Sequence, residues 1–115
     1  VIRAEDGLVS LDAGGQTVEV AAAAQPGDRV RFCLRPEDVA LAIPEQITGG
    51  SPGNHLSGTV ISLQPQGVHV RVTVDCGFPL MALITHRSVE DMRLVAGSPV
   101  VAIFKAIAAH VLPDA

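Results

Sequence analysis

Short apolar runs with a two-residue period recur along almost the whole chain, and they predict strands. Leu8–Leu11, Thr17–Val20, Val30–Leu34, Val39–Leu41, Thr59–Leu63, Val68–Val74 and Leu80–Thr85 are β-branched or alternating, as expected of strands with one buried face. Turn formers separate them: Asp12-Ala13-Gly14-Gly15, Gln25-Pro26-Gly27-Asp28 and Asp75-Cys76-Gly77. In Val68–Val74 the alternation is complete, which puts four valines on the core side and His69, Arg71 and Thr73 toward solvent or a partner. One helix is expected among the strands. Ser88-Val89-Glu90-Asp91-Met92-Arg93-Leu94 opens on a hydroxyl residue with an acid three positions later. This is a capping-box variant with Asp91 in place of Glu or Gln, and Gly97 and Pro99 are expected to end the helix.

The chain also repeats internally. Pro26–Arg35 aligns with Ala96–Lys105, placing Gly27 on Gly97, Val30 on Val100, Leu34 on Phe104 and Arg35 on Lys105 at an offset of 70. Upstream, Asp12-Ala13-Gly14 matches Asp75-Cys76-Gly77 at an offset of 63, so the second half holds 7 more residues, about one short helix. The economical architecture is all-β: two small OB-like β-barrel lobes in tandem, the second with a short helical insert. The expected boundaries are a first lobe over 1–44, N-terminally incomplete, a Gly- and Pro-rich hinge over 45–53, and a second lobe over 54–115. Lobes of roughly 50 to 60 residues are marginal alone, so they must share a core or oligomerise.

Composition narrows the function. The 115 residues contain no Trp or Tyr and only 3 Phe, so Val, Ala, Leu and Ile must fill the core. A formal charge of −4 gives no general attraction to DNA or RNA, and nucleic acid is not an expected partner. The longest apolar stretches fall well short of the ~20 residues that cross a bilayer. Cys33 and Cys76 are isolated and fall in expected strands, which suggests buried thiols in a reducing compartment such as the cytoplasm. His55, His69 and His110 lack metal-ligand spacing, so no metal or cofactor is expected and these side chains read as surface or packing residues. No nucleophile elbow or phosphate-binding loop is visible, and the chain itself is not expected to be an enzyme. Its start at Val1, in what reads as mid-sheet, suggests a fragment of a longer protein.

Five segments, taken in order, carry a family resemblance: Asn54-His55-Leu56-Ser57-Gly58-Thr59-Val60, Val72–Gly77, Ile84-Thr85-His86-Arg87-Ser88, Gly97, and Phe104-Lys105-Ala106. They resemble the molybdate/tungstate-binding domain of the MOP or TOBE type, found in molbindins and at the C-terminus of molybdate-importer ATPases. Leu34-Arg35-Pro36-Glu37-Asp38-Val39 resembles a segment of the C-terminal regulatory domains of ABC-importer ATPases, a lobe that standalone molbindins lack.

The resemblance implies a tetrahedral oxyanion, molybdate or tungstate, held between subunits by donors among Ser51, Asn54, Thr85, His86, Arg87, Ser88 and Lys105. The residue types suit that ligand. A helix N-terminus presents free N–H groups and partial positive charge, the hydroxyls of Thr85 and Ser88 add donors, and Lys105 adds a full charge. Each residue also has a structural reading: Ser88 as a helix cap, Thr85 as a strand end, His86 and Arg87 as solvated turn residues, Lys105 as a snorkelling lysine. One departure stands out. The family opens this lobe with Ser-Ala-Arg-Asn, whereas here the segment is Ser51-Pro52-Gly53-Asn54. A charge-assisted contact from the missing arginine is worth ~1.5 to 3 kcal/mol; if the departure matters, Gly53→Arg is expected to tighten binding, and no change would mean that the segment is not at the site.

Three functions stay open. The chain is a regulatory module that dimerises and senses cytoplasmic molybdate or tungstate to inhibit an importer, a structural dimerisation domain without ligand, or a molbindin-like oxyanion store. The first implies a homodimer or higher homo-oligomer, with an upstream ATPase domain and a membrane permease in a parent located in the cytoplasm, peripheral to the inner membrane.

Overall fold

The computed structural model describes residues 1–46 and 53–113. Ten strands alternate with three 3-10 turns and one helix: β1 (Arg3–Glu5), β2 (Leu8–Ala13), β3 (Gln16–Ala21), β4 (Val30–Cys33), β5 (Ala40–Ala42), β6 (Asn54–Gln66), β7 (His69–Asp75), β8 (Pro79–Thr85), α1 (His86–Met92), β9 (Pro99–Phe104) and β10 (His110–Pro113). The 3-10 turns are Pro36–Asp38, Pro44–Gln46 and Ala106–Ala108. The fold is all-β in two small OB-like lobes. Its three sheets run in the orders β1-β2-β3, β10-β4 and β5-β9-β6-β7-β8, and every pairing is antiparallel.

The repeat seen in the sequence is a relation in space. β5 pairs with β9 through Ala40↔Ile103, Leu41↔Ala102 and Ala42↔Val101. β10 pairs with β4 through His110↔Cys33, Val111↔Phe32 and Leu112↔Arg31. The 70-residue offset carries each of these pairs onto its counterpart. Each sequence half therefore lends a short strand to the other. The turns before those strands cross over in the same way: Pro36–Asp38 packs against β8, and Ala106–Ala108 packs against β3. Strand pairing thus runs in both directions across the expected boundary between 1–44 and 54–115. Most of the expected hinge lies outside the described residues.

One hydrophobic cluster runs through both halves. Val9, Leu11, Val18 and Val20 join Leu56, Val60, Val72, Val74, Val100 and Phe104, each nearly inaccessible to solvent. The two matched turns meet directly: a Cβ added at Gly77 (φ 92°) would lie 2.2 Å from the Gly14 carbonyl oxygen. Only glycine permits backbones to approach this closely at a positive φ.

Several local expectations need correction. Val68 is 78% exposed because it sits in the β6–β7 hairpin turn, so three valines of that run, Val70, Val72 and Val74, reach the core. Cys33 is exposed, and Cys76 is buried in the turn after β7, not within a strand. The helix begins at His86, with Thr85 as its N-cap; Ser88 stands at the third helical position, its N–H bonded to Thr85 Oγ1 at 3.0 Å. Its end is set by Arg93 in the left-handed conformation (φ 52°), before Gly97 and Pro99 are reached. Arg93 N–H donates to Glu90 O and Leu94 N–H to Val89 O, a Schellman closure that brings Leu94 into the core.

Candidate oxyanion site

The expected site residues form two groups. The first gathers where β6 begins and β9 ends. Asn54 lies opposite Phe104, Lys105 follows immediately, and Gly53 backs onto the same peptide: a Cβ on Gly53 would lie 2.9 Å from Phe104 O and 3.7 Å from Lys105 Cα. Ser51 lies outside the described residues. Lys105 is exposed and occupies the N-cap position of the Ala106–Ala108 turn, with no side-chain bond to that turn. Its repeat counterpart Arg35 caps the Pro36–Asp38 turn with nearly the same backbone angles, but there the guanidinium Nε is paired with Asp38 Oδ2 at 3.1 Å. Lys105 has no acid at the matching position, since residue 108 is alanine. The lysine is the cation in this group able to meet an anion.

Asn54 does something the sequence does not announce. Its side chain is buried, and it reads the backbone of β3: Oδ1 accepts from Glu19 N–H at 2.7 Å and Nδ2 donates to Glu19 O at 2.8 Å. A weaker contact of 3.4 Å runs from Nδ2 to Phe104 O. The amide thus acts like one more residue of strand pairing between the halves, and both of its ends are occupied. Gln16 forms a similar bridge, donating from Nε2 to Ser57 O (2.9 Å) and Cys76 O (2.6 Å) while Oε1 accepts from Ser57 N–H at 3.2 Å. Both partnerships span 35 or more positions, and no local pattern signals them.

Gly53 holds φ 94°, a conformation that L-residues adopt at a cost of order 1–3 kcal/mol. An arginine here would carry that strain and crowd Phe104 O as well. In this backbone the position is shaped for glycine, so an arginine there carries a conformational cost beside any contact it makes.

The second group lies at the start of α1. Thr85 Oγ1 accepts from Ser88 N–H and donates to Ser88 Oγ at 2.9 Å, so the two hydroxyls satisfy each other and the cap. The His86 ring Nε2 is 3.0 Å from Gly67 O and must carry the hydrogen there, because a carbonyl only accepts. Arg87 and Asp91 approach to 3.9 Å on the exposed helix face, 88% and 72% accessible, too open to a competing solvent to hold Arg87 in place.

The structure does not bring the two groups together. Thr85 pairs with His69, which pairs with Gln66 at the far end of β6 from Asn54. Twelve steps of strand separate Asn54 from Gln66, and at ~3.3 Å per residue they span up to roughly 40 Å. Among the described residues, no three His, Cys, Asp or Glu side chains converge as a metal site would require. Among the described residues, too, no helix is long and apolar enough to cross a membrane.

Comparison with known proteins adds the family. The model of the TOBE domain matches residues 50–111. The molybdenum import ATP-binding protein ModC of Brucella abortus (strain 2308) is 36% identical over 105 residues, which is 87% of this chain and 28% of that protein. ModC of Mannheimia succiniciproducens is 36% identical over 84 residues, 70% of this chain and 23% of that protein. The chain thus spans about a quarter of the length of these curated relatives. In fold it resembles the cytoplasmic molybdate-binding protein ModG, crystallised with molybdate bound, at a TM-score of 0.83 and 20% identity over 93% of this chain and 84% of that one. By its sequence match over more than half its length, the chain belongs to the TOBE domain family.

Proposed function

We propose that this chain is the regulatory domain of an ABC-importer ATP-binding subunit, binding molybdate or tungstate between copies of itself and inhibiting transport when the anion is plentiful. The observation that carries this reading is the 36% identity to ModC over 87% of the chain. The parent then supplies an upstream ATPase domain, a membrane permease completes the importer, and the domain works in the cytoplasm beside the inner membrane.

The geometry supports a shared site. A tetrahedral dianion needs donors from several directions, and a chain of net charge −4 must supply them locally. Here the lysine group and the helix-start group stand at opposite ends of β6. A second copy is the simplest way to bring donors of one group to donors of the other, and a homodimer or higher homo-oligomer follows. Once shared in this way, the anion binds only the associated form, and its concentration shifts the population toward that form. This is what a sensor needs.

The glycine at position 53, shaped by its own backbone and lacking the family's arginine, favours a second reading in which the domain only dimerises. An ATPase assay on the longer protein separates the two. Molybdate lowers hydrolysis in the wild type, and Lys105→Ala relieves that inhibition while leaving the rate without molybdate unchanged. Hydrolysis indifferent to molybdate in the wild type would favour the dimerisation domain.

A further inference from the structure

β6 changes partners along its length. β7 pairs with it from Thr59 onward, whereas residues 54–58 pair with β9 alone. Beside these residues runs β3, yet among the described residues no backbone ladder joins it to β6. Side-chain amides take the place of the ladder. Gln16 of β3 grips both backbone groups of Ser57, accepting from its N–H at 3.2 Å and donating to its carbonyl at 2.9 Å. Asn54 of β6 grips both backbone groups of Glu19, at 2.7 and 2.8 Å. The two grips lie three residues apart on each strand and run in opposite directions, so they follow one antiparallel register. Each strand holds the other by one side chain.

Both parts of the lysine group stand on this junction. Asn54 opens β6 opposite Phe104, and Lys105 caps the Ala106–Ala108 turn, which packs against β3. One end of the junction is fixed: Gly14 and Gly77 press the neighbouring turns together, and Gln16 Nε2 reaches Cys76 O there at 2.6 Å. The end at Asn54 is held by its side-chain bonds and by the packing of the lysine turn. A glutamine or asparagine loses rotamer freedom when held in this way, which offsets part of what its hydrogen bonds contribute. A junction built on two such side chains therefore opens locally more easily than a backbone ladder.

We propose that the β3–β6 junction is a latch that the anion keeps closed, a linkage that rests on Lys105 holding the oxyanion as proposed above. The cause is differential affinity. With the latch open, the start of β6 and the turn that carries Lys105 lose their common base on β3, the lysine no longer stands in a fixed place, and the ligand binds that state less well. Linkage is reciprocal, so the anion slows opening of the latch by the factor that opening costs the anion. Occupancy of the site is thereby felt in the first half, through β3. Gln16, which belongs to neither group of expected ligands, is a positioning residue for Lys105.

The Glu19 and Ser57 amides report the latch, because each donates to a side-chain oxygen of the opposite strand. Their hydrogen exchange is followed by NMR in the intact chain, free and saturated with molybdate, beside calorimetric titration. The expected result is that molybdate slows both amides by about tenfold, within the usual range of coupling between sites. Gln16→Met keeps the length of the side chain and removes its donor and acceptor, and it is expected to bind molybdate about tenfold more weakly while remaining folded. An anion that binds without slowing either amide overturns the proposal, and that measurement needs no variant. A Gln16→Met protein that loses stability but keeps the wild-type affinity also overturns it, since the grip is then structural alone. If neither molybdate nor tungstate binds, the function proposed above fails and the latch with it, a result distinct from binding without slowing.

Discussion

Replacing Asn54 with alanine removes the amide that joins β6 to β3. The two short contacts with Glu19, at 2.7 and 2.8 Å, are ordinary neutral hydrogen bonds with a net worth of about 1 kcal/mol each. The third, at 3.4 Å, adds little. Glu19 is exposed on β3, so water recovers part of what its N–H and C=O lose, and the expected destabilisation is about 2 kcal/mol. For a domain of this size that lowers Tm by roughly 10 °C. Asn54→Asp sharpens the argument: an oxygen replaces the donor that faces Glu19 O, so aspartate, isosteric as it is, should cost at least as much as alanine. Urea and thermal unfolding of both variants beside the wild type measure this. A loss below about 0.5 kcal/mol in both, within the range of an inert surface change, would refute the clamp. If such variants also lost anion binding, Asn54 would be a ligand.

Other expectations follow from the same geometry. Gly77→Ala pushes a Cβ to 2.2 Å from Gly14 O at a positive φ, and thermal unfolding should show a loss of about 3 kcal/mol or failure to fold. Gly53→Arg should cost about 1–3 kcal/mol from its φ of 94°, and titration calorimetry should find no tightening of molybdate binding. Burial, and then the neighbouring Asp75 carboxylate, raise the Cys76 thiol above its ordinary value of 9.0. The folded protein keeps that proton at a pH where the unfolded chain has lost it, so stability is intact below about pH 9 and falls as pH rises further. Urea midpoints between pH 8 and 10 should show this decline, and Cys76→Ala should flatten it.

The strands were legible because most have one buried and one exposed face, which writes itself into alternation. β1, β9 and β10 were not among the expected strands: Arg3–Glu5 is exposed on both faces, Pro99–Phe104 is buried at nearly every position, so neither carries a two-residue period, and His110–Pro113 is only four residues long. The helix start was displaced by three because Thr85 and Ser88 are both hydroxyl residues at capping spacing, and only their mutual hydrogen bonds show which is the cap. Cys33 was expected inside as a strand residue, but among the described residues its strand belongs to a sheet of two strands, and Cys33 is exposed. The repeat, read from four matched residues, relates the two exchanged strand pairs to each other, but the alignment alone did not show that each half lends a strand to the other. What alignment could not show was contact at a distance: the Asn54 amide on the Glu19 backbone, or Gly77 pressed against Gly14, depends on how the halves meet. Of the expected site residues, the sequence named Lys105 and the helix start, but it did not show their separation along β6.

The central claim is that this chain binds molybdate or tungstate in an associated form. Titration calorimetry of the purified chain with molybdate and tungstate, with sulfate as control and light scattering to record association, tests it most directly. Micromolar or tighter binding of the two larger anions is expected, at one or two per dimer, with sulfate excluded and the dimer favoured by ligand. Absence of heat and of any change in association, from a chain that is folded and dimeric, would contradict it.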